Sequence, residues 1–165
     1  MNIKRIAKHL LTSDWLVNRH FPVATMAAIE QEIKTSENLH SGEIRFVVEG
    51  ALDGVRLFKD QTAQARAIDI FSQLRIWDTE LNNGVLIYLL LADRDIEIIA
   101  DRGIYKKVGP EEWEKICVSM ESYFKENNFH QGVISGIDAV TQLLQKHFPI
   151  PLDDKNELSN KPIIM

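Results

Sequence analysis

Two strand-like segments separated by a helical one constrain this chain more than any other feature. The first covers residues 41–49, with the sequence SGEIRFVVE. The second, residues 82–103, contains an uninterrupted apolar run at 85–92, then a short charged turn and an alternating run. An uninterrupted run predicts a strand buried on both faces, and the alternating run predicts a half-exposed strand joined to it as a hairpin.

The order of these segments predicts the direction of each strand. A helical pattern covers about residues 62–74, and a crossover of this kind makes the two strands that it connects parallel. Its predicted inward stripe is Ala67, Ile68, Phe71 and Leu74. With further helical patterns near 22–40, 109–124 and 131–147, the predicted fold class is α/β. We expect an α/β/α sandwich around a small mixed β-sheet, in which a parallel β-α-β crossover is followed by an antiparallel hairpin and then two helices.

Length and composition bound the domain organisation. The chain has 165 residues, of which 45% are hydrophobic, and this is enough for one domain with its own core. We predict an N-terminal helical extension at 1–21, the α/β/α domain at 22–149 and a loose, proline-containing tail at 150–165. The net charge of −5 argues against nucleic-acid binding, because nucleic-acid-binding domains usually carry a basic excess. A single cysteine, Cys117, excludes an internal disulfide and a cysteine-rich zinc site.

The N-terminal extension begins with an amphipathic helical pattern. Its apolar residues are Ile3, Ile6, Ala7, Leu10 and Leu11, and its cations are Lys4, Arg5 and Lys8. We expect this helix to dock on the domain, continued by Trp15 and Leu16; weak contact with a membrane surface and recruitment of an unknown protein partner are the alternatives. The segment lacks the continuous apolar stretch of a signal peptide, and the run at 85–92 is too short for a transmembrane segment, so we expect a cytoplasmic protein.

The predicted strand directions bring polar residues together at one end of the sheet. The starts of the first two strands and the finish of the third share that end, which gathers Glu43, Asn82, Asn83, Asp101 and Arg102. The turn before the second strand adds Asp78 and Glu80. Carboxylate and amide oxygens are the ligands that hard cations prefer. We therefore predict a calcium or magnesium site whose metal ligands are Glu43, Asp78, Asn82, Asn83 and Asp101.

Other interpretations of these polar residues remain open. Asp78 and the asparagine pair could simply cap the backbone donors of a turn. Arg45 and Arg102 could instead form a pocket for an anion or substrate. A rival cluster is expected at the opposite end of the sheet, where ligands of parallel sheets usually bind. Its members are Glu49, Asp53, Asp93, Arg94 and Asp95, although residues 92–95 equally suit a tight hairpin turn.

The succession of motifs resembles the TPM domain, a family named after a thylakoid lumen protein, a photosystem II protein and an acetylcholine-receptor modulator. The resemblance covers about residues 41–148, through the segments 42–46, 83–87, 93–94, 103–104 and 129–136. It implies an α/β/α sandwich, calcium binding and acid phosphatase activity. The chain departs from the family pattern in three places: residues 74–77 replace a W-G-I-G-like turn, Asn82 replaces a frequent Asp, and Asp101-Arg102 replaces Gly-Tyr.

Together these observations predict a soluble TPM-like domain that binds Ca²⁺ or Mg²⁺ at the acidic and amide-rich end of the sheet. If the resemblance extends to phosphatase activity, Arg102 and the cation would position a phosphate ester for attack by metal-polarised water, because no protein nucleophile is evident. Asp78 or Glu80 would act as ligand or base, which makes Asp78, Glu80 and Arg102 the candidate catalytic residues. The alternative function is a non-catalytic adaptor or interaction module that acts through the N-terminal helix.

Overall fold

The computed structural model describes residues 3–12 and 14–165. The helices are α1 (Ile3–Leu11), α2 (Asp14–His20), α3 (Val23–Glu37), α4 (Gly54–Phe58), α5 (Ala63–Gln73), α6 (Arg102–Tyr105), α7 (Pro110–Lys125) and α8 (Phe129–His147). The strands are β1 (Glu43–Glu49), β2 (Gly84–Leu90), β3 (Asp95–Ala100) and β4 (Ile163–Ile164). None of the helices in this described part of the chain is long and apolar enough to cross a membrane.

Local signals explain where the main helices begin. Thr62 precedes α5, and its side-chain oxygen accepts a hydrogen bond from Ala65 N, which satisfies one of the unpaired donors of the first turn. α7 opens with Pro110, whose fixed φ suits a first helical position. Glu111 and Glu112 follow it, at the positive end of the helix dipole.

The strand directions follow the sequence prediction. β1 and β2 are parallel, with Glu43 opposite Gly84 and Glu49 opposite Leu90. β3 is antiparallel to β2, with Val85 opposite Ala100. The sheet order is β3-β2-β1-β4, so the two buried strands lie in the centre. The predicted crossover and hairpin are therefore both confirmed.

Helices cover both faces of the sheet, which confirms the predicted α/β/α sandwich. All seven residues of β1 and all seven of β2 are buried, as their apolar runs predict. Alternate side chains of these strands enter two separate cores. One core is closed by α2, α3, α7 and α8, and the other is closed mainly by α4 and α5.

One position of the crossover helix was assigned to the wrong side. Ile68 was expected to face the core, but it is 50% exposed. Arg66 and Ile70 are buried instead, and Arg66 Nε donates to Glu49 Oε2 over 2.8 Å. A paired arginine therefore occupies a core-facing position, which a hydrophobicity pattern assigns to the surface.

Two glycines of α8 allow it to pack closely on α7, as their spacing of one turn predicts. A Cβ at Gly132 would lie 2.6 Å from Phe124 Cε1, and a Cβ at Gly136 would collide with Met120 Sδ. Gly132 and Gly136 are both buried at this helix interface. They therefore serve close helix packing rather than backbone flexibility.

The C-terminal segment was expected to be loose, but its last residues join the sheet. β4 pairs in parallel with β1, with Val47 opposite Ile163. Met165 extends this pairing, because its N–H donates to Val48 O over 2.9 Å. The sequence showed no periodicity here, because the segment is held by backbone pairing along the edge of β1 rather than by an apolar face of its own.

The N-terminal helix docks on the domain as expected, but through its polar side. His9 is only 3% exposed, and its Nδ1 accepts a hydrogen bond from Leu52 N over 3.0 Å. Arg5 Nε donates to Asp93 Oδ2 over 2.8 Å. Trp15 does not continue the docking surface, because it is 65% exposed; Leu16 packs against the core as expected.

Candidate functional site

The predicted polar residues do meet at one end of the sheet. Asp101 N donates to Gly84 O over 2.9 Å, so the end of β3 lies beside the start of β2. Gly103 N donates to Asn82 O over 2.9 Å. A Cβ at Gly103 would collide with Asn82 O, so a glycine is required for this close approach. We call Glu43, Asn83 and Asp101 the acidic sheet end.

Asn83 and Asp101 each hold one unsatisfied oxygen at this end. Asn83 is fully buried, and its Nδ2 donates to Ser41 O over 2.7 Å, while its Oδ1 has no hydrogen-bond partner. Asp101 is 8% exposed; its Oδ1 accepts from Arg102 N over 2.6 Å, and its Oδ2 has no partner. Buried polar atoms without partners are uncommon and call for a specific reason. Two such oxygens on adjacent strand ends could contact a shared ligand.

The carboxylate of Glu43 is already engaged by the C-terminal segment. Its Oε1 accepts from Glu157 N over 2.9 Å, and its Oε2 accepts from Leu158 N over 3.1 Å. Burial raises the pKa of Glu43, while these two hydrogen bonds lower it. Glu43 therefore lies at the predicted end of the sheet, but both of its carboxylate oxygens accept hydrogen bonds from residues 157 and 158.

The remaining predicted site residues lie around this centre. Asn82 Oδ1 accepts from Arg102 Nε over 2.9 Å, so the asparagine oxygen is paired and the guanidinium is held beside the turn. Asp78 is exposed. Glu80 is also exposed, and its backbone N–H donates to the Glu157 carboxylate over 3.0 Å. The side chain that caps a backbone donor of this turn is Thr79, whose Oγ1 accepts from Asn83 N over 3.1 Å, rather than either asparagine as the capping interpretation proposed.

The C-terminal segment forms the outer wall of two clefts at this end. A cleft of about 410 Å³ is lined by Ser41 and Glu80 together with Asp153, Asp154 and Glu157. A second cleft, of about 340 Å³, is lined by Glu37, Glu43, Asp154 and Asn160 among others. Asp154 borders both clefts, and burial together with Asp153 raises its pKa. These acidic residues were not predicted as site residues, because no periodic pattern marks the segment that carries them.

Glu37 is a second residue that the sequence analysis missed. It is the last residue of α3, and its Oε1 accepts from Ile44 N at the edge of β1 over 3.0 Å. Its Oε2 accepts from Asn160 Nδ2. Burial, helped by the nearby Glu43 carboxylate, raises the pKa of Glu37 to about 8, although the hydrogen bonds from Ile44 and Asn160 and the charge of Arg45 lower it. No pattern in the sequence distinguishes this carboxylate from the other glutamates of α3.

Arg45 and His40 complete the electrostatic environment. Arg45 is 8% exposed; burial lowers its pKa, and the nearby carboxyl groups of Glu37 and Glu43 oppose this effect. Burial lowers the pKa of His40 to about 4, which leaves its imidazole neutral at pH 7. Arg45 is buried, and this leaves Arg102 as the exposed cation of the predicted anion pocket.

The rival cluster at the other end of the sheet is occupied by contacts within the protein. Glu49 accepts from both Arg66 and Tyr88 in the core, and the side chain of Asp53 caps α4. Asp93 pairs with Arg5 and His9. The tight-turn interpretation of residues 92–95 agrees with the observed turn.

The residues at the acidic sheet end fit a hard cation in part. In residues 3–12 and 14–165, no three side chains from His, Cys, Asp and Glu lie close enough together to hold a metal. The unpaired oxygens of Asn83 and Asp101 are nevertheless of the kind that Ca²⁺ and Mg²⁺ select. A cation here would draw on these two oxygens and on water, and Glu43 would join them only if residues 157 and 158 moved.

Comparison with known proteins gives a consistent result. The family model of the TPM domain matches residues 20–143. The NMR structure of BA42 from the psychrophilic bacterium Bizionia argentinensis is similar with a TM-score of 0.76 and 33% identity, over 86% of this chain and 93% of that one. The N-terminal domain of a P. gingivalis protein shares the fold, with a TM-score of 0.61 and 19% identity over 78% of this chain and 81% of that one. None of the curated proteins matches the sequence. The chain belongs to the TPM-domain family.

Proposed function

We propose that this protein binds a divalent hard cation, Ca²⁺ or Mg²⁺, at the acidic sheet end. The observation that carries the proposal is the pair of buried oxygens without partners, Asn83 Oδ1 and Asp101 Oδ2, on adjacent strand ends. A bound cation would relieve both unsatisfied oxygens at once. Asp78 is a candidate outer ligand, since it belongs to the turn that leads into β2, and Asn82 would join it only by releasing Arg102.

The affinity should be modest, because only one carboxylate of the acidic sheet end has an unpaired oxygen. Sites with few charged ligands bind calcium at about 10⁻⁴ to 10⁻³ M. Glu43 would add a second carboxylate only after losing its hydrogen bonds to residues 157 and 158. Cation binding and docking of the C-terminal segment should therefore compete for Glu43.

Phosphatase activity is the catalytic extension of this proposal. A bound cation supplies charge stabilisation and lowers the pKa of a bound water. Of the protein groups, Arg102 would orient a phosphate ester, since its side chain is exposed and its Nε is held by Asn82. Asp78 or Glu80, both exposed on the same turn, would accept a proton from the attacking water.

A calcium and magnesium titration followed by amide NMR shifts tests the binding step. We expect the largest shifts at Asn83 and Asp101, and at least tenfold weaker binding in Asp101→Asn. Asp69→Asn, which alters an exposed aspartate of α5, is the matched control and should bind as the wild type does. If the amide chemical shifts of Asn83 and Asp101 do not change at a saturating cation concentration, the proposed site is refuted.

Hydrolysis of p-nitrophenyl phosphate, with and without the cation, tests the catalytic step separately. We expect activity that requires the cation and that falls at least tenfold in Arg102→Ala, because the substrate loses its positive partner. Activity that survives chelation would contradict the proposed chemistry. Cation binding without hydrolysis would limit the function to binding.

A further inference from the structure

We propose that α1 and its surroundings form a docking surface for an anionic lipid membrane. This inference is independent of the cation site, because it concerns the opposite end of the sheet. It begins from the way α1 is attached, with its polar side toward the protein. The consequence is an apolar helix face that is directed to solvent.

The docked side of α1 is defined by specific polar contacts. His9 Nδ1 accepts from Leu52 N, and His9 Nε2 lies 3.1 Å from Asp93 Oδ2. Arg5 contacts the same aspartate and donates to Gln61 O over 2.8 Å. These contacts fix the rotation of the helix about its axis.

The apolar residues of α1 lie roughly opposite this docked side, because successive residues turn by about 100°. Ile3 and Leu10 are each 76% exposed, and Leu11 is 81% exposed. Ile6 lies between the two sides and packs partly against the core. An amphipathic helix in a globular protein normally buries its apolar face, so this arrangement requires another partner for that face.

Neighbouring elements also carry exposed apolar side chains. α4 lies close to α1, since Leu52 precedes α4 and Gln61 follows it, and both contact α1. Val55 is 68% exposed and Phe58 is 64% exposed on that short helix. Trp15 of α2 is also exposed, and the Arg19 guanidinium lies 5.4 Å from its ring centroid.

The charges around the apolar face favour an anionic membrane over a protein partner. Lys4 and Lys8 are exposed on α1, whereas Lys59 after α4 is followed by the exposed Asp60, so the local excess of positive charge lies on α1 itself. Lysines can place their stems along an apolar surface while their ammonium groups reach lipid headgroups. An exposed apolar helix face with lysines beside it matches the interface of an anionic membrane. The acidic sheet end lies at the other end of the strands, roughly 20 Å away, and would face the bulk solvent.

Flotation of the full chain with vesicles tests the proposal. We expect it to float with vesicles of roughly 3:1 phosphatidylcholine and phosphatidylserine and not with phosphatidylcholine alone. Leu10→Ser combined with Leu11→Ser should lower the partition coefficient at least tenfold, because two exposed apolar contacts are lost. Lys4→Gln and Lys8→Gln should each lower it roughly fivefold.

The matched control changes exposed apolar side chains elsewhere. Val118→Ser combined with Leu152→Ser alters residues that are 59% and 110% exposed, and it should leave the partition unchanged. Helical circular dichroism should be the same in all variants, since every substituted residue is on the surface. Equal binding to neutral vesicles, or an unaltered partition in the Leu10/Leu11 variant, would overturn the proposal. If the full chain does not bind vesicles but forms a dimer, and the Leu10/Leu11 variant is monomeric, a second copy of the chain would instead be the partner.

Discussion

Replacing Glu37 by glutamine should remove a large part of the pH dependence of folding stability. The carboxyl of Glu37 is buried between the end of α3 and the edge of β1, and its pKa is raised to about 8 from an ordinary value of 4.5. Below pH 4.5 it is protonated in both the folded and the unfolded chain. Between pH 4.5 and about 8 the unfolded chain releases this proton while the folded protein retains it, so stability falls as the pH rises.

The magnitude follows from the difference between the two pKa values. At about 1.4 kcal/mol for each pH unit, the ceiling is about 5 kcal/mol. Glu37 is only partly buried, and solvent screening reduces the penalty on its charge. The quantity to compare is the unfolding free energy of Glu37→Gln minus that of the wild type. We expect this difference to be about 1–3 kcal/mol larger at pH 9 than at pH 5.

Urea unfolding at a series of pH values, followed by tryptophan fluorescence, measures this effect. The relevant quantity is the difference in unfolding free energy between the variant and the wild type at each pH. All other titrating groups are common to both proteins, so their contributions largely cancel in this difference. Glu30→Gln is the matched control: Glu30 lies on the same helix and pairs with Lys34 at the surface. A difference for Glu37→Gln that stays constant from pH 5 to pH 9 would refute the reasoning.

Three further predictions concern the core and its single thiol. Arg66→Leu should destabilise the protein by about 3–5 kcal/mol in urea unfolding, because it leaves the buried Glu49 carboxylate without its cation; the double variant with Glu49→Leu should recover part of this loss. Gly132→Ala should cost about 1–3 kcal/mol by overpacking α8 against the Phe124 ring of α7, whereas Gly109→Ala, which meets open space, should not; equal thermal midpoints for the two would contradict the packing argument. Burial raises the pKa of Cys117 to about 12, so iodoacetamide should modify the native thiol much more slowly at pH 8 than in denaturant.

The fold was predictable because its defining signals are local. A buried strand, a crossover helix and a hairpin each follow from a short stretch of sequence, and chain connectivity then determines the strand directions. The juxtaposition of Asn83 and Asp101 follows from those directions without any knowledge of side-chain contacts. The partners of Glu43 were not predictable in this way, since Glu157 lies 114 positions away in the sequence and pairs through its backbone N–H.

The errors at Ile68 and in α1 have one physical cause. Hydrophobicity patterns assign charged residues to the surface. They cannot indicate that a carboxylate elsewhere in the fold will pair with a particular charged residue. Glu49 brings Arg66 into the core, and Asp93 holds Arg5 and His9 against the domain. In both places a charge pairing overrides the apolar periodicity that would otherwise choose the buried face.

The two terminal segments are attached by polar contacts at opposite ends of the sheet. His9 and Arg5 hold α1 beside the turn after β2, while Glu37 and Glu43 hold residues 157–160 beside the start of β1. Segments that bury little apolar surface of their own can detach at a lower free-energy cost than the core elements. Because Glu37 is protonated below about pH 8 and Glu43 shares its oxygens with a backbone that a cation could displace, attachment at the C-terminal side should respond to pH and to divalent ions. Attachment of α1 depends on different groups at the other end of the sheet, so a cation at the acidic sheet end should leave it unchanged.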